Sequence, residues 1–163
     1  MAKHRKVRIS RRGFVAGSTA LAAGTLGFPL IGGAQASAVK VGIIHPVTGF
    51  VAFAGSQGRF GATLAVEDIN KAGGITSMGG AKLDPLFGDS QSKVEVGVAE
   101  VEKMNEAGVA AYIGCYQSPV GIAASQAAAK YNTPFLIDVG ASDLIVNRGL
   151  KNVFRIKPGF GVC

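Results

Sequence analysis

Apolar positions along the chain come in short runs set between longer stretches of helical spacing. The alternation starts at Val39 and continues to the end. Val39–His45 is a compact β-branched run that reads as a buried strand, stopped by Pro46 and Gly49. A helix is expected from about Ala54 to Lys71. Its apolar stripe is Phe60, Leu64 and Ile69 with Ala65 beside them, its wet face is Glu67, Asp68 and Lys71, and Gly73-Gly74 ends it. Lys82–Phe87 reads as a weaker strand, and Pro85 within it argues for an edge position. Ser92-Lys93-Val94-Glu95 has the spacing of a capping box and predicts a helix running to about Ala107. Val109–Gly114 is the third strand. Ser118-Pro119 then opens a helix through Lys130, with Ser as N-cap and Pro at the first helical position. Pro134–Asp138 and Val153–Ile156 are the fourth and fifth strands.

Strands joined by helical crossovers must pair in parallel, with right-handed connections. The predicted fold is therefore α/β: a doubly wound, mostly parallel sheet with helices on both faces. In such sheets ligands bind at the carboxyl edge of the strands, where loops lead into helix starts.

The first 38 residues break this pattern. A basic stretch ends in Ser10-Arg11-Arg12-Gly13-Phe14, a mildly apolar run extends to Ile31, and small residues around Ala36 and Ala38 offer processing sites. Residues 1–38 read as a cleavable signal peptide, and the Arg11-Arg12 pair resembles a twin-arginine motif. Gly17, Gly24, Gly27 and Pro29 dilute the apolar run and argue against a membrane anchor. The leader also accounts for the charge. The chain of 163 residues carries +7, but six of its 17 Lys and Arg lie in the first twelve positions, and without them 11 basic residues face 10 acidic ones. No basic excess remains for a nucleic-acid partner.

Candidate chemistry is sparse. The glycines of Gly55–Gly61 stand too far from the first strand for a dinucleotide fingerprint, and no phosphate-loop Lys follows them. The two histidines, His4 and His45, are isolated in sequence, and Cys115 and Cys163 show no metal spacing, so no metal or cofactor is expected. No acid–base pair or nucleophile elbow stands out, which argues against an enzyme. Asp89 reads as a turn-shaping residue. Two loop ends invite a ligand: Gly114–Ser118 after the third strand and Gly140–Asp143 after the fourth. Each offers a hydroxyl and free N–H groups to a small anion, although Ser118 and Ser142 could equally cap their own helices.

The residues His45-Pro46-Val47-Thr48-Gly49, Ala65–Asn70 with Gly73-Gly74-Ile75, Asp89-Ser90-Gln91, Tyr112-Ile113-Gly114, Gly140-Ala141-Ser142 and Asn152–Arg155 occur in an order that resembles a known family. It is that of the periplasmic substrate-binding proteins of ABC transporters for branched-chain amino acids, with relatives that bind amides, urea or small aromatic acids. The resemblance implies a clamshell of two α/β lobes that closes on a solute. Residues 39–163 are then expected to be the N-terminal lobe, truncated before the second. The implied ligand-binding residues are Ser118, Ala141 and Ser142, with Tyr116, Gln117 and Phe53 as further candidates. The implied partners are a small polar solute, an inner-membrane permease and, from Arg11-Arg12, the twin-arginine translocation machinery, with a periplasmic location. The alternatives are a standalone sensor or interaction domain of the same fold, or a small α/β enzyme.

Overall fold

The computed structural model describes residues 36–162; Arg11-Arg12 and most of the expected signal peptide, and Cys163, lie outside them. Five parallel strands form one sheet: β1 (Val39–His45), β2 (Leu83–Asp89), β3 (Ala111–Gly114), β4 (Phe135–Ile137) and β5 (Val153–Arg155). Their order is β2-β1-β3-β4-β5, so β3 is central, β1 lies between β2 and β3, and β2 is an edge, where Pro85 costs little ladder bonding. Three helices connect them: α1 (Ala52–Lys71), α2 (Val94–Glu106) and α3 (Ser118–Ala129). None is long and apolar enough to cross a membrane.

Strand side chains alternate between two cores. On one face Ile44, Tyr112, Phe135 and Ile137 pack with Val101 and Met104 of α2 and with Val120 and Ala124 of α3. Tyr112 and Phe135 stack at 5.4 Å, and the Tyr112 hydroxyl donates to Val101 O at 2.9 Å. The other face is smaller, with Val41 and Ile43 against Ala62 and Val66 of α1. The expected arrangement, a parallel sheet with helices on both faces, is the observed one.

The expected stripe of α1 is not the buried one. Phe60 and Leu64 are 65% and 57% exposed, whereas Gly55, Ala62 and Val66 face the sheet. The cause is close approach. A Cβ on Gly55 would fall almost on Pro46 O, and one on Gly58 would come within 2.5 Å of the His45 ring. Small residues let α1 settle on the strand ends, and the large ones are turned outward. The helix also begins two residues earlier than predicted, at Ala52.

The predicted capping box does not form. The N-cap of α2 is Lys93, with no side-chain cap bond. Ser92 Oγ instead donates to Thr48 O at 3.1 Å and accepts from Val51 N–H at 3.3 Å, tying this turn to the start of α1. Ser118 likewise does not cap α3; the N-cap is Gln117 and Pro119 lies in the first turn.

One face of the sheet is half covered. Register aligns Phe87, Ile43, Ile113, Leu136 and Phe154 in a row across all five strands. α1 buries Ile43, but the β4–β5 connection holds only a 3-10 turn, Asp143–Ile145, whose Ile145 joins the opposite core. The row is left bare toward β5, where Phe154 is 53% exposed. An apolar groove of about 400 Å³ runs beside α1, floored by Ile113 and Leu136 and flanked by Ala65, Ile69 and Ile156.

Candidate functional site

At the carboxyl edge of the sheet, the loops after β1 and β2 are held by one carboxylate. Asp89 Oδ1 accepts from the backbone N–H groups of Val47 at 2.9 Å, Thr48 at 3.3 Å and Gln91 at 2.8 Å, and Oδ2 accepts from the Thr48 hydroxyl at 2.6 Å. Burial pushes its carboxyl upward, but these donors outweigh burial and hold it below the usual range. Asp89 is the turn-shaping residue its sequence context predicts. Beside it Arg59 lies over the Phe87 ring at 5.5 Å and donates to Gly88 O at 2.5 Å.

His45, isolated in sequence, has a partner in space. Its Nε2 lies 2.9 Å from Asp138 Oδ2, joining the ends of β1 and β4 beneath Gly58. The ring is fully buried, and Nδ1 has no hydrogen-bond partner among the described residues. No group of three or more metal-ligating side chains occurs among the described residues.

The two loops singled out in the sequence do converge. β3 ends at Gly114 with φ +142°, where a Cβ would collide with Ile44 O, and Cys115 follows at φ +65°. Burial pushes the Cys115 thiol far upward, so it is no nucleophile. This turn presents Tyr116 and Ser118 to the β4 loop. Ser118 Oγ accepts from Ser142 N–H at 3.2 Å. Arg155 clamps the second loop from behind: Nη1 donates to Ala141 O at 3.1 Å and Ser142 O at 3.0 Å, and Nη2 donates to Asp143 Oδ1 at 2.9 Å. The Arg155 hydrogen bond holds the Asp143 carboxyl below its ordinary range.

Between the loops lies an open cleft of about 220 Å³, lined by Tyr116, Ser118, Val139, Ala141, Lys157 and Phe160. Three of the sequence-predicted residues, Tyr116, Ser118 and Ala141, meet there, and Ser142 joins through its backbone. Gln117 stands just behind; its Oε1 is buried with no partner among the described residues. Phe53 does not join them. Because α1 starts at Ala52, Phe53 falls on its outward face and is 82% exposed. Lys157, Phe160 and Val139 were not singled out in the sequence. The available signal was position alone, since they follow β5 and β4 at the same sheet edge.

Comparison with known proteins agrees with this architecture. Residues 38–161 match the family described as periplasmic binding protein. A Leu/Ile/Val-binding protein homolog 7 from Brucella suis is 33% identical over 131 residues, covering 79% of this chain and 32% of its own. A homolog 3 from Brucella melitensis is 32% identical over 133 residues, 82% of this chain and 34% of its own. Among solved structures, the branched-chain amino acid transporter substrate binding protein LivJ from Streptococcus pneumoniae, in complex with isoleucine, aligns with TM-score 0.69 at 25% identity. It covers 75% of this chain and 34% of that one. An ABC transporter substrate-binding protein from Desulfitobacterium hafniense, complexed with Leu, aligns at 0.62 with 28% identity over 74% of this chain and 34% of that one. The chain thus spans about a third of the length of the relatives it matches. On this sequence match and fold, the chain belongs to the periplasmic binding protein family.

Proposed function

We propose that residues 39–163 form one lobe of the extracytoplasmic binding component of an ABC importer. It grips one end of a small amino acid, amide or related polar solute and serves delivery to a membrane permease. The observation that carries this reading is the meeting of the β3 and β4 loops in one cleft, with Ser118 Oγ 3.2 Å from Ser142 N. Two solved relatives hold isoleucine and leucine, which supports a solute of that size. The mechanism is binding: Ser118, Ala141 and Ser142 hold the solute's polar end, and a second lobe closes over it by hinge motion. Tyr116 and Gln117 would add contacts from the β3 loop. Residues 1–38 direct export to the periplasm through the twin-arginine route and are then removed.

A lobe without its counterpart buries only part of the solute, so this domain alone is expected to bind weakly. Calorimetry of the 163-residue chain against leucine, isoleucine and small amides should show dissociation constants weaker than micromolar. Tight binding by the monomer would overturn the one-lobe reading. NMR titration should place the weak binding at Ser118, Ala141 and Ser142, and Ser118→Ala should abolish it. For the leader, Arg11→Lys with Arg12→Lys should block export; unchanged export would point to the general secretory route.

A further inference from the structure

Part of the cleft wall is built by chain that follows β5, and one side chain fastens it. We propose that Asp143 is a latch that seats the segment Lys157–Gly161 beside the cleft, and that it thereby positions Phe160 as an apolar wall for the bound solute; the inference rests on the solute-binding reading above.

The β3 and β4 loops supply four of the six residues that line the cleft, and Lys157 and Phe160 supply the rest. None of Lys157–Gly161 belongs to either apolar core, and polar bonds attach the segment. Phe160 N–H donates to Ala141 O at 3.1 Å, and Gly161 N–H donates to Asp143 Oδ2 at 3.2 Å. The other carboxylate oxygen, Oδ1, accepts from Arg155 Nη2 at 2.9 Å. One carboxylate thus joins the β4 loop, the last strand and the segment after it. The Arg155 side chain is only 10% exposed, and its Nη1 is committed to Ala141 O and Ser142 O, so the guanidinium is a fixed post. Charge-assisted bonds to such a post are the strong kind.

The segment fits over the ion pair because it carries no side chain where it crosses. A Cβ on Gly159 would fall on Asp143 Oδ1 and Arg155 Nη2, and one on Gly161 would come within 2.8 Å of Asp143 Oδ2. Gly159 is buried, whereas Phe160, between the two glycines, is 73% exposed and lines the cleft. Two glycines turned onto the pair leave the aromatic ring turned off it, where it offers the hydrocarbon part of a solute a surface that excludes water. The backbone of Asp143 has a separate task. Its C=O accepts from Val146 N–H at 3.1 Å and Asn147 N–H at 3.0 Å, so losing the carboxylate need not disturb the β4–β5 connection.

NMR relaxation and titration of the 163-residue chain test the latch and its purpose together. Amide order parameters at Phe160 and Gly161 should lie near about 0.8, and in Asp143→Ala they should fall below about 0.6, while Val146 and Asn147 keep theirs. Gly159→Ala, which leaves Asp143 and Arg155 in place, should release the segment in the same way. Leucine, followed by amide shifts at Ser118 and Ser142, should bind about fourfold more weakly to Phe160→Ala, the worth of roughly one buried methylene. Asp143→Ala should weaken leucine by a similar factor, and the double variant should be no weaker than Phe160→Ala alone. Unchanged order at Phe160 and Gly161 in Asp143→Ala overturns the latch. Losses that add in the double variant, or Phe160→Ala without effect on affinity, overturn the positioning role. Absence of shifts at Ser118 and Ser142 with leucine, isoleucine and small amides overturns the solute-binding reading and the wall role with it, while the order parameters still decide the latch.

Discussion

A side chain at Gly55 would drive its first carbon onto the Pro46 carbonyl, and backbone cannot yield as a flexible side chain can. Gly61, two turns on, meets nothing within 4 Å. The same substitution should therefore have opposite signs. Gly55→Ala should destabilise by about 1–3 kcal/mol through overpacking, and Gly61→Ala should stabilise by about 0.5–1 kcal/mol through helix propensity. Urea unfolding of the two variants measures both, and equal effects would contradict the docking of α1 described above. Residues that act locally could be read in sequence: Asp89 shapes its own turn by accepting from Gln91 N–H, whereas its bonds to Val47 and Thr48 on the β1 loop could not be read. The His45–Asp138 pair could not be read, because 93 residues separate two side chains that meet across β3 at the ends of β1 and β4. Ser118 and Ser142 were ambiguous for a similar reason. Each was a plausible cap for its own helix, and only the packing of β3 beside β4 turned Ser118 toward the Ser142 amide.

Among the elements, the β4 loop depends on a strand that follows it in sequence. Arg155, on β5, holds Ala141, Ser142 and Asp143 through three hydrogen bonds. Arg155→Met should leave the sheet intact yet free this loop. Hydrogen exchange at Ala141–Val146 is expected to quicken by about tenfold or more, corresponding to loss of one or two charge-assisted bonds. Exchange in β1 should not change, and uniform acceleration across the sheet would mean that Arg155 supports the core instead. Strands, their parallel pairing and the edge position of β2 were legible from β-branched runs, helical spacers and Pro85. The contact face of α1 was not. Periodicity located its large residues, but distance to the sheet was set by its small ones, so Phe60 and Leu64 turned away from the surface they were expected to cover. The capping box failed because Ser92 had a better use, bonding to Thr48 and Val51 across the loop.

At the scale of the whole domain, coverage of the sheet is lopsided, with α2 and α3 on one side and α1 alone on the other. The bare end of the Phe87–Phe154 row and Ile156, which is 67% exposed, form an apolar patch that should attract dye and other copies of the chain. Phe154→Lys combined with Ile156→Glu should cut anilinonaphthalene sulfonate fluorescence by roughly half or more and reduce association in sedimentation velocity. It should shift stability by no more than about 0.5 kcal/mol, as expected of exposed positions. Dye binding that survives the double variant would place the sticky surface elsewhere. The strand order has a consequence in time. β1, the first strand of the domain to leave the ribosome, sits between β2 and β3 and pairs with both. Its backbone N–H and C=O groups stay unpaired until Leu83–Asp89, and then Ala111–Gly114, have been synthesised. Every pairing spans a long stretch of chain, so closure is slow, and β1, an interior strand of the finished sheet, is the one that waits longest to be enclosed.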